Sequence, residues 1–276
     1  MTAFRIAILT DLHAGPVGDP ASGWHDAFEP ARGAALTRAA VDQLRSHDFD
    51  VAFVLGDITN HGDDPSFDAV FVELAGLGVP TWVVAGNHDL QAGEYALQGA
   101  FDRAPGPLRV PSLAGDVFGD GAIVAGLRFR GRDDDRVELV ATPEAGVWGD
   151  HPVFLLSHYP IISREHDCLA AGWKYAGDPQ GLDGVADHLA KREAPTIALH
   201  GHLHLADAVA RRSFLQLGFS ALIENGHHIA LVEIKQDDAA ISIAITTIPT
   251  SGDARPAAAI GSPRQSWRFA GGEWRS

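Results

Sequence analysis

The strongest constraint on this chain is a series of short apolar runs, each stopping at polar residues able to ligate a metal. The runs are FRIAILT (4–10), DVAFVLG (50–56), PTWVVAG (80–86), PVFLLS (152–157) and PTIALHG (195–201). Continuous runs of this length suit strands covered on both faces, which requires layers on either side of a sheet. Behind them come Asp11-Leu12-His13, Asp57-Ile58-Thr59-Asn60, Asn87-His88-Asp89, His158 and His202-Leu203-His204. Ligand-type side chains at the carboxyl ends of strands in an open α/β sheet meet in one crevice.

Helical patterns lie between the runs. Residues 33–46 put Leu36, Ala40, Val41 and Leu44 on one stripe, and 65–78 repeats the pattern. Asp64-Pro65 suits the start of that second helix, with Gly76 or Gly78 past its end. A third helix is expected over 180–193. From about residue 205 the texture changes, and 207–218, 227–235 and 239–248 read as a meander of strands with short polar turns. Residues 251–276, rich in Pro, Ala and Gly, are expected to form an irregular tail pinned by Trp267 and Trp274. The expected organisation is α/β, with two packed sheets and helices outside, as one domain over 1–250 and a tail over 251–276.

Charge narrows the partners. With 21 Lys+Arg against 36 Asp+Glu the net charge is −15, a sign that repels phosphate backbones and anionic membranes. No nucleic-acid or membrane partner is expected, although a metal site can reverse the field locally for a small anion. The one cysteine, Cys168, allows no intrachain disulfide. No stretch approaches the ~18–20 apolar residues of a membrane span. A cytoplasmic protein is the expectation, with homo-oligomer formation left open.

Spacing adds to the argument. Alternate residues of an extended segment point the same way, so Asp11 and His13 can chelate one ion, and a similar spacing puts His202 and His204 near each other. Gly56, Gly86 and Gly201 fit turns where backbone comes close to the site. Singly, each residue has a bland reading: Asp57 to Asn60 as a turn or cap, Asn87 as a turn residue, His158 as a satisfied histidine. In this order, each behind its own apolar run, coincidence is a poor explanation. His200 lies outside the pattern and reads as a supporting or structural residue.

The series Asp11-x-His13, Gly56-Asp57-x-x-Asn60, Gly86-Asn87-His88-Asp89, His158 and Gly201-His202-x-His204 resembles the calcineurin-like metallophosphoesterase superfamily. The match runs from residue 11 to 204, with all five blocks in family order. GDITNHGD (56–63) looks most like the class III cyclic-nucleotide and glycerophosphodiester phosphodiesterases. The resemblance implies a four-layer α/β/β/α sandwich and two divalent ions, Mn or Fe with Zn as an alternative. It implies one ion on Asp11, His13, Asp57 and His204, and a second on Asp57, Asn87, His158 and His202, with Asp57 bridging. It further implies His88 at the substrate phosphate, Asp89 orienting its imidazole, and hydrolysis of a small-molecule phosphodiester by metal-bound hydroxide. Oxygen and nitrogen ligands without thiolate agree with those metals.

Departures sharpen the reading. SHYP (157–160) has one histidine where family phosphodiesterases often carry a pair, and is similar to the HYP of purple acid phosphatases. Asn60 stands where those phosphatases carry a tyrosine ligand, and Asn87-His88-Asp89 departs from the Asn-His-Glu of protein Ser/Thr phosphatases. A phosphomonoesterase or nucleotide pyrophosphatase of the same superfamily is the alternative enzyme, and a non-catalytic scaffold the alternative of another class. Substrate contacts are expected from Asn60, His88, Trp24 and His25 of loop 14–32, and Arg164 of loop 161–178.

Overall fold

The computed structural model describes residues 2–93, 95–119, 121–131, 137–144, 146–175, 177–224, 226–237, 239–250, 257–260 and 265–276. Its first strand, Thr2–Leu9, sits inside an eight-stranded mixed sheet. Val51–Val54, Thr81–Val83 and Leu108–Arg109 continue that sheet in parallel on one side. On the other side His228–Gln236, Ile241–Pro249, Ser266–Ala270 and Glu273–Arg275 follow as antiparallel neighbours. A second sheet of six strands is centred on Val153–Leu156 and Thr196–His200, which run parallel.

Period-two alternation sends the two faces of each strand to different cores. Ile6, Ile8, Phe53 and Trp82 point between the sheets, against Phe154, Leu156, Ile197, Leu199, Leu215 and Leu217. Phe53 meets Trp82 edge-on at 6.0 Å. Ala7, Leu9, Ala52, Val54 and Val83 point the other way, into a core shared with α1 (Gly33–Leu44) and α2 (Asp64–Ala75). Asp63 caps α2 by accepting from Ser66 N at 3.0 Å, which satisfies an orphan donor of its first turn. α3 (Ala96–Arg103) extends this layer through Leu97 and Ala100. Beyond α4 (Glu165–Ala170), α5 (Val185–Leu189) covers the far face of the second sheet, where Val185, Ala186 and Leu189 meet Ala125, Val153, Leu155 and Ala198. The layers are helix, sheet, sheet, helix, as expected.

Two expectations need correcting. The helix expected over 180–193 is only Val185–Leu189, because Gly181 and Gly184 adopt φ of 86° and 73° and interrupt it. The tail expected to be irregular contains a hairpin, Ser266–Ala270 with Glu273–Arg275, turned at Gly271-Gly272. Trp274 is buried there, and its Nε1 donates to Ser213 O at 3.0 Å, pinning the end of the first sheet to the second. Residues 251–256 and 261–264 of that tail lie outside the described residues. Among the described residues no helix is long and apolar enough to cross a membrane.

Candidate metal centre

The apolar runs end in turns of an unusual kind. Asp11, His13, Asp57, His202 and His204 all adopt left-handed backbone, with φ of 52°, 43°, 47°, 65° and 57°. A non-glycine residue there costs on the order of 1–3 kcal/mol, and such strain gathers at functional sites. Among the described residues only Arg212 and His227 share it. The convergence of Asp11 with His13 therefore comes from left-handed turns beyond the strand, not from the extended segment that their spacing suggested.

Backbone bonds knit the turns together. Asp11 N donates to Gly56 O at 3.1 Å, His13 N to Asp57 O at 2.9 Å, and Gly201 N to His158 O at 3.1 Å. The approach leaves no room for a side chain at Gly86, where a Cβ would lie 2.1 Å from Asp57 Oδ1.

The result is three overlapping groups: Asp11, His13 and His204; His13, Asp57 and His88; Asp57, His158 and His202. Within each group the candidate donor atoms lie within 4.8 Å of one another. His13 Nε2 faces His204 Nε2 at 3.3 Å, and His204 Nε2 faces Asp11 Oδ1 at 3.4 Å. Asp57 Oδ2 lies 3.5 Å from His13 Nε2 and 3.3 Å from His158 Nε2. Asn87 Oδ1 accepts from the Tyr159 hydroxyl at 3.4 Å, and the Tyr159 ring packs 4.5 Å from His202.

These donors fit a cation. His158 Nδ1 donates to Leu55 O at 2.8 Å, which leaves Nε2 turned toward Asp57. Neither His158 Nε2 nor His202 Nε2 has a hydrogen-bond partner among the described residues, although both are buried. His13 Nε2 and His204 Nε2, 3.3 Å apart, have the spacing of neighbouring ligands on one ion with bonds of ~2.0–2.1 Å.

Electrostatics agrees with the geometry. Burial works against ionising Asp11, but His204 and then His158 outweigh it and hold its carboxyl at about 2. For Asp57 too, burial is outweighed by His158, His88 and His13, which keep the carboxyl well below its ordinary range. Burial would lower His158 and His204, yet Asp57 pushes the first up to about 9 and Asp11 the second up to about 10. Burial dominates at His13 and His202, which fall to about 4 and about 3. Two imidazoles thus bind protons against two carboxylates, and those are the charges a divalent cation displaces.

The remaining predicted residues divide. His88 stands at the cluster, its N donating to Asp57 Oδ1 at 2.9 Å and its Nδ1 lying 2.9 Å from Asn60 O. Asp89 does not orient the His88 imidazole: its carboxylate accepts from Ile58 N, Thr59 N, Thr59 Oγ1 and Gly86 N at 2.9–3.1 Å. Burial, helped by the charge of Asp57, pushes that carboxyl up to about 6. The Asn60 side chain is turned to Asp19, donating to Oδ2 at 3.1 Å. Arg164 is a poor free anion binder, since Asp207 and Asp167 each hold its guanidinium at 2.6 Å. His200 faces Asp207 Oδ1 at 3.1 Å and supports the loop from behind. Trp24 and His25 stand beside Lys174 and Trp173, the Lys174 ammonium 5.6 Å over the Trp24 ring and the His25 ring 4.8 Å from Trp173.

Sequence reasoning missed Glu224, Thr10 and Tyr159. Glu224 Oε2 lies 3.3 Å from His204 Nδ1, and Thr10 Oγ1 donates to Asp11 Oδ2 at 2.7 Å. The available signals were a lone acid inside an apolar stretch, SALIENG (220–226), and a threonine directly before the first ligand block.

The two-sheet sandwich carries a carboxylate–imidazole cluster with the donor set of a metal centre. The chain belongs to the calcineurin-like phosphoesterase family, whose pattern matches residues 4–206. It is 34% identical over 87 residues to a probable cyclic nucleotide phosphodiesterase of Rhodopseudomonas palustris, a match spanning 31% of this chain and 29% of that relative. A dimetal phosphatase from Danio rerio superposes with a TM-score of 0.58 at 16% identity, covering 90% of this chain and 99% of that one. The purple acid phosphatase PPD1 from yellow lupin seeds gives 0.56 at 14%, covering 98% of this chain and 54% of its own. These structural likenesses show the fold.

Proposed function

We propose that this protein is a phosphodiesterase that hydrolyses a small-molecule phosphodiester at a centre of two divalent cations, Mn or Fe in preference to Zn. The observation that carries the reading is the single Asp57 oxygen, 3.5 Å from His13 Nε2 and 3.3 Å from His158 Nε2. A carboxylate so placed can serve two ions and offset their repulsion. Asp11, His13, Asp57 and His204 would hold one cation, and Asp57, Asn87, His158 and His202 the other. Bound there, divalent cations supply Lewis-acid charge for phosphoryl oxygens and acidify a neighbouring water.

The chain's own groups do the positioning. With Nδ1 donating to the Asn60 carbonyl, His88 has Nε2 as its free ring atom, and only as imidazolium does it carry a second, transferable proton there. From there it donates to a phosphoryl oxygen or the leaving alkoxide. Trp24, His25 and Lys174 supply an aromatic and cationic wall for the alcohol portion of the ester. Partial identity to a relative described as a probable cyclic nucleotide phosphodiesterase supports diester over monoester. The charge of −15 supports a small substrate over a nucleic acid, in a cytoplasmic setting.

The test is hydrolysis of bis(p-nitrophenyl) phosphate against p-nitrophenyl phosphate by Mn-loaded protein, with Asp57→Ala as control. Faster diester cleavage that disappears in the control is the expected result. Faster monoester cleavage would make the protein a phosphatase.

A further inference from the structure

Glu224 stands outside the five sequence blocks, yet its carboxylate is 7% exposed and reaches two parts of the site. Oε1 accepts from the backbone N–H groups of Trp24, His25 and Asp26 at 3.1, 2.9 and 3.2 Å. Three consecutive N–H groups converging on one oxygen form an anion-holding concavity. Oε2 lies 3.3 Å from His204 Nδ1, the ring nitrogen opposite the one that faces Asp11 and His13. The segment behind Glu224 is fixed, because Leu222 N donates to Thr10 O at 2.9 Å and Ile223 N to Asp11 O at 3.1 Å. A second latch lies alongside: His25 Nε2 donates to Leu203 O at 2.8 Å, between His202 and His204.

From this geometry we infer that Glu224 is a positioning residue that couples the loop tip at Trp24–Asp26 to His204. The inference rests on the metal reading of His204 given above. Its two oxygens do chemically different work. At Oε2 the carboxylate faces His204 Nδ1 and sets the ring with Nε2 turned to Asp11 and His13. At Oε1 only an acceptor is needed, and without one three N–H groups lose their partner. Loop order and the ligating competence of His204 therefore depend on one carboxylate.

Two variants separate the arms. Glu224→Gln keeps an oxygen for the three N–H groups and removes the charge; Glu224→Ala removes both. Three quantities are read on the full chain: Mn affinity of metal-stripped protein by calorimetry, chymotryptic cleavage after Trp24, and KM against kcat for bis(p-nitrophenyl) phosphate. Carboxylate partners of ligating imidazoles are worth about 10–100-fold in metal affinity, and both variants are expected to lose that much. Glu224→Gln should keep the cleavage rate and KM of the parent while kcat falls. Glu224→Ala should be cleaved after Trp24 about tenfold faster or more, with a raised KM.

Unchanged Mn affinity in Glu224→Gln overturns the His204 arm. Cleavage of Glu224→Ala no faster than that of Glu224→Gln overturns the loop arm. If Glu224→Ala does not fold, Glu224→Asp replaces it, since its shorter side chain cannot reach both partners and must lose one arm; retention of both overturns the coupling. Affinity and cleavage are independent of the ester chosen. A parent inactive on diesters with both arms intact would sink the phosphodiesterase reading alone.

Discussion

His158 Nε2 stands 3.3 Å from Asp57 Oδ2, and the same oxygen lies 3.5 Å from His13 Nε2. His158 donates from Nδ1 to the Leu55 carbonyl, so the strand end fixes its orientation. Backbone at the strand ends thus holds the ring in place. That arrangement separates residues that hold the centre from those that act on substrate, and replacements at the two should fail differently.

His88 belongs to the second kind. Its ring is steadied by Asn60 O, and although it shares a group with His13 and Asp57, the group of Asp11, His13 and His204 and that of Asp57, His158 and His202 are complete without it. His88→Ala should lower turnover by about 10²–10⁴-fold, the usual worth of a general acid, while metal content by atomic emission stays at the parent value. Loss of metal in step with activity would make His88 a ligand first.

Asp89 belongs to the scaffold. Asp89→Ala would orphan the N–H groups of Ile58, Thr59 and Gly86, which the carboxylate now satisfies. At about 1–3 kcal/mol each, the expected loss is on the order of 4 kcal/mol, a fall of about 10 °C in Tm. A calorimetric scan with the parent Tm would contradict this role and return Asp89 to the chemistry.

Cys168 should be inert. It is fully buried, and burial together with the charge of Asp207 pushes its thiol up to about 11. At pH 8 about one molecule in a thousand then carries thiolate. Iodoacetamide should leave the native protein unlabelled at pH 8, label it on denaturation, and react faster as the pH climbs toward 11. Rapid labelling of native protein would show an accessible thiol.

Trp274 should matter to stability and not to the site. It packs between the sheets and donates to Ser213 O. Trp274→Ala is expected to cost about 3–5 kcal/mol, read as a lower denaturant midpoint, with metal stoichiometry kept in the folded protein. A midpoint equal to that of the parent would mean the hairpin is not part of the folding unit.

The layered fold was legible because strands covered on both faces leave unbroken apolar runs, as at Val51–Val54 and Val153–Leu156. Most of the cluster was legible because each run ends at one of its members. What sequence could not convey was direction. Asp89 follows His88 in the chain, but its side chain turns to Thr59 and Gly86 while the imidazole turns to Asn60. Arg164 reads as free for an anion in the sequence, but Asp207, 43 residues on, neutralises it. Glu224 carries no motif because the N–H groups it accepts from, Trp24 to Asp26, lie 198–200 residues away in the chain. The hairpin at 266–275 did leave a trace, Gly271-Gly272 between two aromatic stretches, hidden within a Pro- and Ala-rich segment.

The central claim is a two-ion centre joined by one carboxylate. Its most direct test is the metal content of Mn-reconstituted protein after desalting, parent against Asp57→Ala, by atomic emission with circular dichroism to establish that both are folded. The account predicts two ions per parent chain and fewer than one per variant chain. One ion in the parent, or two retained in the variant, would contradict it.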